Sequence, residues 1–239
     1  FAQVTGQLRF ENDKISTKNL SLSWQGLPLT LQVTGQDFTD YYGTNIELAA
    51  DWQKDMWLPH ISSELKQYVD GPLQLQGKLA MFQHHSGGFS YQFTVDSDLA
   101  QVELKLPTPY NKLPQSKVPL TIEVNGQLEQ STFNATYGEQ LSFFGVLAHD
   151  TSHFSRVHVV LGNEKMLLPM DGFHITTNLE QADVSVWQPL ISDIISSVAV
   201  DEQSASNSNS AQQPIFSKPE RIRGTIGQLE LFGQNLHNV

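Results

Sequence analysis

The chain has 239 residues, 25 acidic against 14 basic side chains and a formal net charge of −11. That length suits one large all-β domain or two smaller ones, and the absence of cysteine excludes a disulfide framework, thiol catalysis and zinc–thiolate sites. The densest basic cluster, Lys218 to Arg223, is short, so neither a nucleic-acid surface nor tight docking on anionic lipid is expected. No run of about 18 apolar residues is present, so no transmembrane helix is expected. The opening at Phe1, without Met or a basic-then-apolar leader, is what a processed product or an internal segment is expected to look like.

In chain order, most segments alternate apolar and polar residues with period two, the pattern of a sheet with one apolar and one wet face. "NLSLSW" places Leu20, Leu22 and Trp24 on one side, and "GLPLTLQV" follows with Leu27, Leu29, Leu31 and Val33. "WLPHISSELKQYVDG" changes to helical spacing, with Leu58, Ile61, Leu65 and Tyr68 on one face, Pro59 near the start and Gly71 past the end; a helix is predicted near 58–70. "GPLQLQGKLAM" (Leu73, Leu75, Leu79, Met81), "GFSYQFTV" (Phe89, Tyr91, Phe93, Val95) and "QVELKL" (Val102, Leu104, Leu106) read as strands, as does "RVHVVL" (Val157, Val159, Leu161). Turn signals separate the runs, Asn125-Gly126 being the best two-residue hairpin candidate. Roughly 14 strands on mostly short links predict an antiparallel meander.

The second helical segment is predicted near 186–199, with Trp187, Leu190, Ile191, Ile194 and Ile195 on one stripe, Ser185 as N-cap and Pro189 about one turn in. Asp201 to Gln213 is polar and of low complexity and reads as a mobile loop. "TGQL", "QGKL", "NGQL" and "IGQL" recur at Gly6, Gly77, Gly126 and Gly227 without a fixed period. They suggest one strand type reused, with a small residue at a bend.

The search for chemistry returns little. His149, Asp150 and His153 have metal-like spacing, but their flanks read as strand and turn and no third ligand is suggested. No nucleophile elbow, phosphate loop or dinucleotide fingerprint is present. No catalytic residue, metal or cofactor is therefore assigned. What remains is an apolar excess on one sheet face. It fits an ordinary closed core or an open, U-shaped sheet whose apolar face lines a groove for acyl chains.

The order of motifs bears on that choice. "VTGQLRFENDKISTKNLSLSWQGLPLTLQV", "VELKLPTPYNKLPQSKVPLTIEVNGQL", "LPMDGFHITTNLEQADVSVWQPLI" and "IRGTIGQLELFGQNLHNV" resemble four consecutive landmarks of the YhdP-like branch of the AsmA/TamB superfamily. An "LPxPxxK" segment (Leu106 to Lys112) precedes a "PL.I.VNG.L" strand (Pro119 to Leu128), and a Gly-initiated strand runs into a helix start (Gly172 to Trp187). Each motif is weak alone; their order covers essentially the whole chain. The pattern departs at the helix start, where Ser185 stands in place of a more usual acid and Pro189 interrupts the first turns.

The resemblance implies a bacterial envelope protein in the periplasm, held in the inner membrane by an N-terminal helix that this stretch lacks. It implies an internal segment of a β-groove that carries phospholipid toward the outer membrane, with a possible outer-membrane partner and no enzymatic step. The expected fold is mainly β: an elongated, strongly curved antiparallel sheet with two amphipathic helices. Residues 1–115 form a first groove segment and 116–239 a second. Leu73, Leu75, Phe89, Tyr91, Phe93, Val95, Leu104 and Leu106 are expected to line the groove, and Trp187, Leu190, Ile191, Ile194 and Ile195 to cover it as plug or lid. The rival readings are a carbohydrate-binding or hydrolytic β-sandwich, with an exposed tryptophan row beside paired carboxylates, and a structural scaffold that pairs through its sheet edges.

Overall fold

The computed structural model describes residues 2–164, 171–205 and 215–239. Alternation of the kind read above becomes strand wherever the ladder has a neighbour. The first half contributes β1 (Ala2–Glu11), β2 (Lys14–Trp24), β3 (Leu27–Asp37), β4 (Tyr41–Trp52), β5 (Val69–Asp70), β6 (Leu73–His84), β7 (Phe89–Ser97) and β8 (Glu103–Leu104). The second half contributes β9 (Leu120–Gln127), β10 (Gln130–Tyr137), β11 (Leu141–Ala148), β12 (His153–Gly162), β13 (Gly172–Asp183), β14 (Arg221–Leu231) and β15 (Gln234–His237). Two α-helices are assigned, α1 (Lys54–Trp57) and α2 (Val184–Ala205).

Thirteen strands form one sheet in the order β1-β2-β3-β4-β6-β7-β9-β10-β11-β12-β13-β14-β15, and β5 pairs with β8 apart from it. The first and last strands do not meet, so the sheet is open. The division expected at residue 115 falls in the connection between β7 and β9, and these two strands pair with each other in the long sheet.

The expectation of a purely antiparallel sheet is corrected at its C-terminal end. There β13 runs parallel to β12 and β14 runs parallel to β13. The chain returns to the same strand end twice, once before β13 and once through α2 before β14, and a parallel neighbour requires such a crossover. The helix expected near 58–70 is also corrected. The segment breaks into α1 and two short 3-10 turns, Leu58–His60 and Lys66–Tyr68, with Ile61 extended between them. Tertiary packing overrides the helical spacing: Trp57 is buried and its indole donates to the Gly71 carbonyl at 3.2 Å.

Two further expectations change. Asn125-Gly126 lies inside β9, and the reversal comes after Gln127. At the start of α2 the capping residue is Asp183, whose Oδ1 accepts the Ser185 N–H at 2.8 Å and the Ser185 hydroxyl at 2.6 Å. The first helical residue is Val184, so Pro189 sits beyond the first turn and removes one bond, to the Ser185 carbonyl. Of the loop expected at Asp201 to Gln213, residues 201–205 continue α2, and 206–213 lie outside the described residues.

Candidate functional site

Directly paired residues on neighbouring strands project from the same face of a sheet, so the register assigns every side chain to a face. One face carries Phe10 with Ile15, Leu20 with Leu31, and Leu22 with Leu29. It continues through Val33–Ile46, Leu31–Leu48, Trp52–Leu73 and Ala50–Leu75. Beyond these come Leu79–Phe93, Met81–Tyr91, Val95–Ile122 and Phe93–Val124. Phe133–Val124, Ala135–Phe143, Phe143–Val159 and Val159–Ile175 carry it onward, and Leu179–Ile226 ends it. The opposite face is mainly polar, with Gln92, Thr94 and Asp96 on β7 against Asn125, Glu123 and Thr121 on β9. Most of the apolar face is neither buried nor fully exposed. No second large sheet packs over it among the described residues.

Six of the eight expected lining residues, Leu73, Leu75, Phe89, Tyr91, Phe93 and Val95, share this face. Leu104 and Leu106 stand apart from it. Leu104 pairs with Val69 in the two-stranded sheet and bridges to Lys112, and Leu106 follows in the connection to β9. "QVELKL" alternates as a strand does, but it has no edge of the long sheet to join.

Shorter pieces of chain lie against the face. Residues 53–72, between β4 and β6, bring Met56, Trp57, Leu58, Ile61 and Val69 onto Leu27, Leu29, Ala50, Trp52, Leu73 and Leu75, which makes a buried hydrophobic cluster. Phe216 stacks on Phe154, ring centroids 4.9 Å apart, and meets Phe143 and Phe173 edge-on or tilted. The connection 98–119 is tied to the first insertion by β5–β8 and by the Lys105 N–H donating to the Tyr68 carbonyl at 2.8 Å. Its Tyr110 packs edge-on against Trp187 of α2, centroids 5.6 Å apart. Asp193 Oδ2 closes the circuit by accepting from Tyr68 at 2.7 Å and Gln67 at 2.8 Å. That bond holds the Tyr68 phenol above its ordinary pKa.

Of the expected covering helix, only part turns inward. Leu190 is 7% exposed and Trp187 half-buried, whereas Ile191, Ile194 and Ile195 are 50%, 44% and 64% exposed. The apolar stripe is wider than the surface it docks on. Trp52 and Trp57 are buried, so no row of exposed tryptophans forms.

Sequence reasoning missed the polar side chains that hold these pieces. Lys112, 3% exposed, donates through Nζ to the carbonyls of Val102 at 2.6 Å and Leu113 at 3.1 Å, and burial holds its pKa below the ordinary value. The lysine of the "LPxPxxK" segment was the available signal. Tyr110, pushed up to about 12 by burial, donates to the Gln140 carbonyl, and Tyr137 donates to the Tyr110 carbonyl. On the apolar face, Tyr91 lies over Gly126 and its hydroxyl meets Ser131 Oγ at 2.7 Å. Ser131 Oγ lies 2.7 Å from His149 Nε2, and His149 Nδ1 lies 2.8 Å from the Leu128 carbonyl. The Leu128 carbonyl can only accept, so His149 Nδ1 carries a proton and donates to it. Ser131 is 1% exposed, which makes this a structural polar chain. Among the described residues no group of three or more His, Asp or Glu side chains could hold a metal.

The chain is similar to the intermembrane phospholipid transporter YhdP of Escherichia coli (strain K12), 23% identical over 142 residues. The match covers 59% of this chain and 11% of that protein's length. No solved structure matches the chain. A family model described as "YhdP protein" matches residues 1–239 from end to end, and the chain belongs to that YhdP-like family of the AsmA superfamily.

Proposed function

We propose that this chain binds the acyl chains of phospholipid on its apolar face without enzymatic turnover, as one segment of a lipid path across the periplasm. In this reading the sheet curves into an open groove. Six strand residues, Leu73, Leu75, Phe89, Tyr91, Phe93 and Val95, contribute to its lining, and Trp187 and Leu190 of α2 cover one margin. Lipid moves along it toward the outer membrane and supports the permeability barrier. The same path calls for an inner-membrane anchor and an outer-membrane partner.

One observation carries the reading. The apolar face runs on across the long sheet and stays partly exposed, with only connecting segments and α2 laid on it among the described residues. Each methylene moved from water onto such a face contributes about 0.8 kcal/mol, so an acyl chain is held by area alone. Headgroups need only stay at the strand ends. Membership of the family and the phospholipid transport named for the Escherichia coli relative support the same ligand class.

The test is lipid occupancy by native mass spectrometry of the purified chain, with Phe93→Asp and Val95→Asp as separate variants. Wild type is expected to carry phospholipid. Each variant is expected to lose it while keeping its circular dichroism spectrum and a cooperative melt. Variants that unfold outright would mark the face as closed core, and variants that keep full occupancy would place the lipid elsewhere; either result overturns the groove.

A further inference from the structure

The apolar face ends in an ordered way on β13 and β14. Leu179 pairs with Ile226, then Gln181 with Gln228, then Asp183 with Glu230, all on that same face. Rows on one face of a strand are roughly 6.6 Å apart, two residues at about 3.3 Å each. The order along the strands is therefore hydrocarbon, amide, carboxylate. Those four polar residues line a cavity of about 300 Å³ that is completed by Val186 and Trp187 of α2 and by Pro107 and Thr108 of the 98–119 connection.

Two features of the cavity ask for a cation. Like charges placed directly opposite one another on neighbouring strands are destabilising, yet neither Asp183 nor Glu230 has an ion-pair partner among the described residues. The Asp183 carboxylate accepts from Ser185 and Val186 in capping α2, bonds that leave its negative charge uncompensated. Trp187 is the second feature: an indole face attracts an ammonium group electrostatically. The amide row and the Thr108 hydroxyl supply donors of the kind a phosphate accepts.

We propose that this cavity receives the headgroup of a zwitterionic, ammonium-bearing phospholipid. Its acyl chains lie on the Leu179–Ile226 side, its phosphate at Gln181 and Gln228, and its ammonium at Asp183 and Glu230. The proposal rests on the groove reading above and adds a headgroup preference to it. A lipid with a phosphate but no ammonium meets the same carboxylate pair with nothing to neutralise it, in a chain whose net charge is already −11.

The test offers the protein equimolar phosphatidylethanolamine and phosphatidylglycerol with identical acyl chains, and reads the bound ratio by native mass spectrometry. Wild type is expected to enrich the ethanolamine lipid severalfold. Glu230→Gln, an exposed position outside the helix cap, is expected to bring the ratio toward one through loss of bound ethanolamine lipid. Adding Asp183→Asn, which keeps a capping side chain, should remove the bias. Equal binding by wild type, or a bias that survives in both variants, overturns the headgroup site and leaves the groove standing. A chain that takes up no lipid overturns the groove itself. Glycerophosphoethanolamine, which has the headgroup without acyl chains, is expected not to compete at micromolar concentration. If it saturates the protein there, the cavity belongs to a small soluble amine and the lipid assignment falls.

Discussion

Gly126 shows how one missing side chain organises this face. A β-carbon there would sit inside the Tyr91 ring, which crosses β9 to reach Ser131 on β10. Gly77 plays the same part under Leu48, and the clearance at Gly6 is filled by Leu20. At three of its four occurrences the Gly-x-Leu motif thus marks a place where a neighbour's side chain lies against a strand, whereas the sequence alone suggests bends; at Gly227 it is the Glu180 backbone that comes close. Gly126→Ala is expected to destabilise the chain by about 1–3 kcal/mol, the usual cost of overpacking. The cost should largely disappear in a Tyr91→Ala background. Urea unfolding of the four members of this cycle measures the coupling, and an unchanged penalty in the double variant would refute the clash.

Helix α2 is the element whose start is set by one carboxylate. Hydrogen bonds from the Ser185 hydroxyl, then from the Ser185 and Val186 amides, hold the Asp183 carboxyl below its ordinary 3.8. A depressed folded pKa contributes stability above the unfolded value and loses it as pH falls through the folded one. The first turn of α2 is therefore expected to fray below about pH 4, read as faster hydrogen exchange at Val186 and Trp187 relative to the long sheet. Asp183→Asn should flatten that pH dependence while keeping the helix at neutral pH. The position of α2 was legible because Trp187, Leu190, Ile191, Ile194 and Ile195 repeat at helical spacing. Its docking was not, because periodicity shows an apolar stripe without showing how much surface waits for it. The 58–70 segment failed for the converse reason: a helical spacing was taken up by turns once Trp57 had a pocket to fill. Strands of the long sheet were readable from alternation, since one face meets hydrocarbon and the other water. Polar fasteners such as Lys112, Tyr110 and Asp193 were not, because each bonds a partner distant in sequence or a carbonyl that no motif announces.

At the scale of the molecule, the exposed area is the informative quantity. The accessible surface is 15502 Å² for a chain of 26.7 kDa, against about 10,700 Å² for a compact monomer of that mass. An excess of that size follows from laying thirteen strands side by side in one open sheet. At about 4.8 Å per strand, twelve spacings extend on the order of 58 Å. A compact domain of this length has a radius of gyration of about 18 Å. Small-angle scattering from the monomer is expected to give a clearly larger value and a pair-distance distribution with a long tail. A sealed sandwich built from the same strands would return the compact value with a symmetric distribution. The measurement also bears on the apolar face: a sheet kept open over that length leaves its hydrophobic side chains in water unless something of hydrocarbon character lies on them, and soluble proteins seldom leave continuous apolar patches of that extent without a ligand or partner. Scattering that is extended with lipid bound and contracts when lipid is stripped by detergent exchange would tie the open shape to its occupant. An extended shape that lipid removal leaves unchanged would mean that the strand ladder alone holds the sheet open.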